Sequence, residues 1–174
     1  MSTPVALPHK NRPAFIATLR ILLPLLCALC IAFIFYNSSR TGAASGGVSS
    51  HFTTTVNGYL QAWGWPFSIS ETFIRKLGHI AEYALLGMLM LCTLFAYTHR
   101  RLATLAWPLL AGVLVATADE FYQTFIPGRD GQPMDVLIDF GGILLGCLLA
   151  VLLLAVWRAI RRRRAGRQTP VSGV

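Results

Sequence analysis

The chain contains 174 residues, of which 55% are hydrophobic and 13% are charged, and its net charge is +8. Because so few charged residues cannot cover the surface of a soluble domain, the composition excludes an ordinary soluble protein and indicates a membrane protein. Most of the positive charge lies near the two ends of the chain. A run of arginines directly after a predicted membrane helix is typical of a topology anchor that also contacts anionic lipid, so we expect no nucleic-acid partner.

Four apolar stretches approach the roughly 20 residues that a membrane-spanning helix needs. These stretches are Phe15 to Tyr36, Leu77 to Thr98, Leu105 to Ile126 and Val136 to Trp157. The sequence therefore predicts an all-α fold, a four-helix transmembrane bundle over residues 15–157. A cytoplasmic N-terminal segment, residues 1–14, would precede this domain, and a basic cytoplasmic tail, residues 158–174, would follow it.

The distribution of basic residues predicts the orientation of the bundle. With both termini in the cytoplasm, eleven of the 15 lysines and arginines lie on the inner side and four on the outer side. This asymmetry follows the positive-inside rule and favours that topology. The alternative is a cleaved secretory signal that ends near Ala44, but the apolar stretch from Ile21 to Tyr36 is long for a signal core.

The connections between these helices carry their own signals. Residues 37–50 are rich in Ser, Gly and Ala and predict a flexible outer segment. From Val48 to Trp63 the apolar residues recur on one helical face, which predicts an interfacial amphipathic helix between the first two spans. Ser68 followed by Glu71 resembles a capping box, so the second helix should begin nearby, at about Ile69. Residues 127–133 are rich in proline and glycine and predict a tight outer turn.

Ionisable side chains lie within or beside these apolar stretches, and all of them lie near the outer ends. An ionisable group at membrane depth costs roughly 2.5–3.5 kcal/mol, so a group of them requires partners. On the second helix Lys76, His79 and Tyr83 share one face, with Glu82 at its edge. A tyrosine such as Tyr83 is also typical of the membrane interface.

The third and fourth helices repeat this arrangement. The third carries Asp119, Glu120 and Gln123 within one arc, and the fourth carries Asp135 and Asp139 one turn apart. Glycines continue the polar faces toward the membrane centre and would allow helices to approach closely; they are Gly87, Gly112, Gly142 and Gly146. We therefore expect three polar faces to meet in one pocket.

The carboxylates in this predicted pocket outnumber the cations. Five acids face Lys76, Arg129 and a titratable histidine. Either one or more acids hold a proton, or an external cation, such as a metal held by Asp119, Glu120 and Asp135, completes the site. The alternative is an ion-pair network that only fixes helix register, in which Lys76 pairs with Glu82 or Asp135 and Arg129 pairs with Glu120. The residues identify no particular cofactor.

The polar blocks resemble, in order, those of the VanZ-like family of bacterial membrane proteins. The three blocks are Lys76-x-x-His79-x-x-Glu82-Tyr83-x-x-x-Gly87, Asp119-Glu120-x-x-Gln123-x-x-x-Pro127-Gly128-Arg129 and Asp135-x-x-x-Asp139-x-x-Gly142. A fourth segment, Tyr36-Asn37-Ser38-Ser39, is similar to a short segment that the same family has after its first helix. The family often has asparagine where this chain has Asp139. The resemblance implies a small integral membrane protein of the bacterial cell envelope, and the family's namesake confers low-level resistance to the glycopeptide teicoplanin. We expect the protein in the bacterial inner membrane.

Two functional hypotheses follow. In the first, the protein modifies or handles a membrane lipid or a lipid-linked envelope precursor at the outer leaflet. The candidate catalytic residues are His79, Glu82, Asp119, Glu120 and Asp135, and the candidate substrate-binding residues are Lys76, Tyr83, Gln123, Arg129 and Asp139. In the second, the protein is a non-enzymatic binding or interaction protein that sequesters an envelope ligand, which requires shape and charge but no proton transfer.

Overall fold

The computed structural model describes residues 12–98 and 105–166, which form five α-helices without a strand in these ranges. The helices are α1 (Arg12–Ser38), α2 (Gly42–Ala62), α3 (Glu71–Tyr97), α4 (Ala106–Gln123) and α5 (Pro133–Gly166). The predicted all-α fold is therefore confirmed for the described part of the chain. Most of the predicted N-terminal segment and the end of the predicted tail lie outside the described residues.

Three helices are long and apolar enough to cross a membrane. They are Ala14–Ser38, Glu71–Tyr97 and Pro133–Arg164, and they correspond to the first, second and fourth predicted spans. Helix α4 is not among them, so the prediction of four spans is confirmed only in part. The reason lies in the composition of α4, because its 18 residues include two acids and a glutamine in the last turns.

Helix α3 lies at the centre of the bundle and contacts each of the other four helices. Its closest partner is α5, and three glycines allow the two backbones to touch. A Cβ atom at Gly146 would overlap the carbonyl oxygen of Ala84, and one at Gly87 would meet the backbone of Ile143. A Cβ atom at Gly142 would lie 2.8 Å from the carbonyl oxygen of Ile80 in α3. The predicted role of these glycines in close packing is confirmed.

The N-terminal part of α2 differs from the prediction, because residues 42–50 are helical and not a flexible connection. Two contacts explain why the helix begins so early. The Thr41 hydroxyl accepts a hydrogen bond from Ala44 N at 3.3 Å, and Gly42 N donates to Pro127 O at 3.1 Å. Ser49 and Thr53 are buried, whereas the apolar face of α2 is exposed. The position of this helix at the membrane surface stays a prediction.

The start of α3 also differs from the prediction. The N-cap is Ser70, whose side chain accepts a hydrogen bond from Phe73 N at 3.2 Å, and not Ser68. The Asn57 side chain bonds both the carbonyl and the amide of Ile69, at 3.0 and 2.8 Å. Since this pair of bonds occupies the Ile69 backbone, the helix begins at Glu71, two residues later than the sequence pattern suggests.

The helix directions bring four polar ends together. Arg20 near the start of α1 donates to Ala96 O near the end of α3 at 2.9 Å, so these two helices are antiparallel. At the opposite end of the bundle, the end of α1, the start of α3, the end of α4 and the start of α5 lie close to one another. This end contains all of the candidate site residues.

Candidate polar site at one end of the helix bundle

Four of the predicted residues form a compact group, which we call the buried quartet: His79, Asp119, Glu120 and Asp139. One potential ligand atom from each residue lies within 4.8 Å of the others. The residues come from α3, α4 and α5, so the predicted meeting of three polar faces is found for this group. Asp119 and Asp139 are fully buried, and Glu120 is only 5% exposed.

Several polar atoms of the buried quartet have no hydrogen-bond partner among the described residues. They include both carboxylate oxygens of Asp139, Oδ1 of Asp119 and Nδ1 of His79. His79 Nδ1 lies 3.4 Å from Asp139 Oδ1, but the two atoms are not aligned for a hydrogen bond. Two negative charges 4.8 Å apart repel each other by about 3.5 kcal/mol at an effective dielectric constant of 20. Three ionised carboxylates in this group would therefore require a compensating charge.

Gln123 holds the two acids of α4 in place. Its Nε2 atom donates to Asp119 Oδ2 at 3.0 Å and to Glu120 Oε1 at 3.1 Å. Its Oε1 atom accepts from Arg129 Nη1 at 3.1 Å. Because arginine has only donors, this contact fixes the amide orientation and directs the NH₂ group toward the carboxylates.

Arg129 lies in the predicted turn and joins α1 to the loop after α4. Besides its bond to Gln123, its Nη2 atom donates to Asn37 O and its Nε atom to Arg40 O, both at 3.0 Å. Burial and the neighbouring Arg75 lower the pKa of Arg129, while nearby carboxylates oppose this effect. Arg129 therefore uses three donors for internal contacts. The Arg129–Glu120 ion pair, which one sequence-based alternative predicted, is not found among the described residues.

Two further candidate acids lie outside the buried quartet. Asp135 Oδ1 accepts from Lys76 Nζ at 2.8 Å, which is one of the ion pairs considered in the structural alternative. Glu82 Oε1 accepts from Asn37 Nδ2 at 2.6 Å, so the end of α1 orients this acid. Asp135 is thus not one of the acids that meet in the quartet, and Asp139 takes its place beside Asp119 and Glu120.

Tyr83 is fully buried beneath the quartet, in the core between α3 and α5. An interfacial position, which is common for tyrosine, is therefore wrong for this residue, because it faces α5 and not lipid. Its hydroxyl is another buried polar atom without a hydrogen-bond partner among the described residues. Tyr122 is exposed and contacts Phe35 ring to ring at a centroid distance of 5.9 Å.

Two cavities adjoin the quartet, and His79 lines both. The first has a volume of about 340 Å³ and lies between the end of α1, α2 and α3. Its wall also contains Glu82 and three arginines, Arg40, Arg75 and Arg129. The second has a volume of about 210 Å³ and is lined by polar residues of α3, α5 and the loop between α4 and α5.

Sequence reasoning did not assign several residues of this site. Asn37, Ser38, Arg40 and Arg75 all contact the site or line its cavities. The family-like segment Tyr36-Asn37-Ser38-Ser39 was a signal for the first two, since it follows a membrane helix directly. Arg75 is adjacent to Lys76 in the sequence, so its basic side chain at the same end of the helix was a signal that it could belong to the site.

Comparisons with known proteins place the chain in a family. No significant match was found among curated proteins or among solved structures. A sequence model described as VanZ/LLP1 matches residues 22–154, which include α2, α3, α4 and most of α1 and α5. With three helices suited to crossing a membrane and this match over most of its length, the chain is a multi-pass membrane protein that belongs to the VanZ/LLP1 family.

Proposed function

We propose that this protein binds an anionic phospholipid or lipid-linked envelope precursor at the outer leaflet of the bacterial inner membrane and modifies its headgroup. The observation that carries this proposal is the composition of the first cavity. Its wall combines three arginines with the apolar residues Val48, Phe52 and Ile74. A pocket whose wall combines basic and apolar residues fits a substrate with a charged headgroup and a hydrocarbon tail.

The arginines in the cavity wall are suited to a phosphate. Neither Arg40 nor Arg75 forms an ion pair with another described residue, so both guanidinium groups keep their charge for a ligand. A guanidinium group binds phosphate oxygens through two parallel hydrogen bonds, which a lysine cannot do. Arg129 lines the same cavity and is held by its hydrogen bonds to Asn37 O and Arg40 O.

Proton transfer in this proposal involves His79 and Glu82, which line the same cavity. The Glu82 carboxyl group is oriented by its 2.6 Å hydrogen bond to Asn37. The His79 side chain is 18% exposed and so is reachable from the cavity. A histidine and a carboxyl group positioned near a headgroup can act as general acid and base, which typically contributes a factor of about 100 to 10,000 in rate.

The outer position of the site follows from the predicted topology, in which both termini are cytoplasmic. We extend the proposal to glycopeptide resistance, which the family resemblance implies. Cells that express the protein should tolerate more teicoplanin than cells that express the Glu82→Gln variant at the same level. Equal tolerance of the two cell lines would remove resistance from the proposal.

The proposal is tested with purified protein in vesicles that contain phosphatidylethanolamine, phosphatidylglycerol and a polyprenyl phosphate, with lipid products followed by mass spectrometry. Glu82→Gln should lower the rate of product formation by about 100-fold or more, since it removes a proton-transfer group. Glu71→Gln is the matched control, because Glu71 lies exposed in the first turn of the same helix. This control should keep the wild-type rate.

A wild-type protein that alters none of these lipids would contradict the enzymatic proposal and favour the non-enzymatic alternative. In that alternative, binding of anionic lipid should survive Glu82→Gln, which preserves hydrogen bonding. Binding should be weakened by Arg75→Gln, which removes a charge from the cavity wall. Native mass spectrometry of the two variants separates these cases.

A further inference from the structure

We propose that the buried quartet is a binding site for one divalent transition-metal cation such as Mn²⁺ or Zn²⁺. The donor set would be one imidazole nitrogen, from His79, and three carboxylate oxygens, from Asp119, Glu120 and Asp139. Imidazole favours first-row transition metals, and carboxylates accept Mn²⁺ and Zn²⁺ readily. The cation site is inferred from the geometry of the quartet, and only its role in turnover rests on the proposed function.

The distances within the quartet fit a shared cation. Ligand atoms that bind such an ion at about 2.0–2.2 Å lie about 3–4 Å from one another. The four candidate atoms lie within 4.8 Å of one another, so a small inward movement of side chains completes the site. His79 Nδ1 and Asp139 Oδ1 are already 3.4 Å apart without a hydrogen bond between them. This is the separation expected of two ligands of one ion.

The unpaired oxygens of Asp139 are the second and independent observation. This side chain is fully buried, and neither oxygen has a hydrogen-bond partner among the described residues. Asp119 Oδ1 is in the same situation. Buried carboxylates that serve only structure are normally hydrogen-bonded, because an unpaired one costs free energy. A cation would provide the missing partner for both acids.

The surroundings of the quartet resemble the supporting shell of a metal site. Gln123 Nε2 orients Asp119 and Glu120, and Gln132 N donates to Glu120 Oε2 at 3.0 Å. Such outer contacts fix the orientation of ligands and raise metal affinity. The nearby acids Glu82 and Asp135 have partners of their own, so they are not needed as ligands.

The position of the site gives the cation a role in the proposed function. His79 lines both cavities, so an ion on this residue would lie beside a headgroup bound in the first cavity. A cation there supplies a Lewis acid that polarises a phosphoryl oxygen. With the cation bound, His79 would serve as a ligand, and proton transfer would be left to Glu82, which lies outside the quartet.

The test measures metal binding without any substrate. Full-length protein in detergent is treated with chelator, dialysed against MnCl₂ or ZnCl₂ in the micromolar range, and its bound metal is measured by mass spectrometry of the element. We expect one ion per wild-type chain. Asp139→Leu should weaken binding by about 100-fold, because it removes a ligand without removing a hydrogen bond. Glu71→Leu, at an exposed acid that lines neither cavity, should bind as the wild type does.

Several outcomes would overturn the cation site. Binding of less than one ion per wild-type chain would overturn it, whatever the variants show. Unchanged metal affinity in a well-folded Asp139→Leu variant would also overturn it. If Asp139→Leu is not monodisperse, His79→Gln replaces it, and unchanged affinity there has the same meaning. Full lipid turnover in the presence of excess chelator would reject the role of the cation in turnover, while leaving the cation site and the proposed function intact. Stoichiometric binding without lipid turnover would leave the cation site intact and reject the enzymatic function.

Discussion

Replacing Gly146 by alanine should separate α3 from α5 and destabilise the protein. The new Cβ atom would overlap the Ala84 carbonyl oxygen and lie 2.7 and 2.9 Å from the carbonyl carbon and Cα of the same residue. Ordinary carbon contacts are about 3.5–4.0 Å long, and backbone atoms cannot rotate away as a side chain can. We therefore expect a cost toward the upper end of the overpacking range, about 3 kcal/mol.

Gly141→Ala is the matched control for this change. No heavy atom lies within 4 Å of a Cβ atom at that position, so this variant receives only the gain in helix propensity. Since both variants share that gain, their difference in unfolding free energy isolates the packing cost. The assay is denaturation in detergent followed by circular dichroism. Equal stability of Gly146→Ala and Gly141→Ala would refute the close contact between α3 and α5.

Other changes test the polar contacts of the site. Gln123→Glu should destabilise the fold by roughly 3 kcal/mol, because it replaces two hydrogen bonds to buried carboxylates with repulsion. Thermal unfolding checks this value. The control is Gln61→Glu, which changes an exposed glutamine and should have almost no effect on stability. A Gln123→Glu variant as stable as the wild type would contradict the orientation of the Gln123 amide. Lys76→Glu should cost about 1 kcal/mol through its partly exposed pair with Asp135, and the charge-reversed double variant with Asp135→Lys should recover most of it. No recovery in that double-mutant cycle would argue against the ion pair.

Helical faces could be predicted from the sequence because they depend only on local spacing. The polar face that includes His79 and Tyr83 follows from the three- and four-residue intervals along α3. The glycines at positions 87, 142 and 146 indicated close packing for the same reason, since only small residues permit backbones to touch. The convergence of polar helix ends followed from their common position relative to the membrane.

The sequence could give only alternatives for the partner of each charged side chain, because the partner depends on how the polar faces of the helices are turned toward each other. Nothing local shows that Asp135 pairs with Lys76 while Asp139 joins the quartet, since the two acids lie one turn apart on one face. Two donors of Arg129 go to Asn37 and Arg40, at and just after the end of α1, which is distant in sequence. The start of α3 was misplaced for a similar reason, as Asn57 of α2 holds the residue before the cap.

We infer that the buried quartet exists to hold a ligand and does not serve to stabilise the fold. The most direct test is the thermal unfolding of Asp139→Asn in detergent with excess chelator, compared with wild type and Asp130→Asn. Neither Asp139 oxygen has a hydrogen bond to lose, and the repulsion from Asp119 and Glu120 opposes the attraction of His79, whose Nδ1 atom lies 3.4 Å from Asp139 Oδ1. We therefore expect Asp139→Asn to be as stable as the wild type or more stable. A loss of about 3 kcal/mol or more, as expected when a buried ion pair is broken, would contradict this account and favour an ion-pair network that fixes helix register.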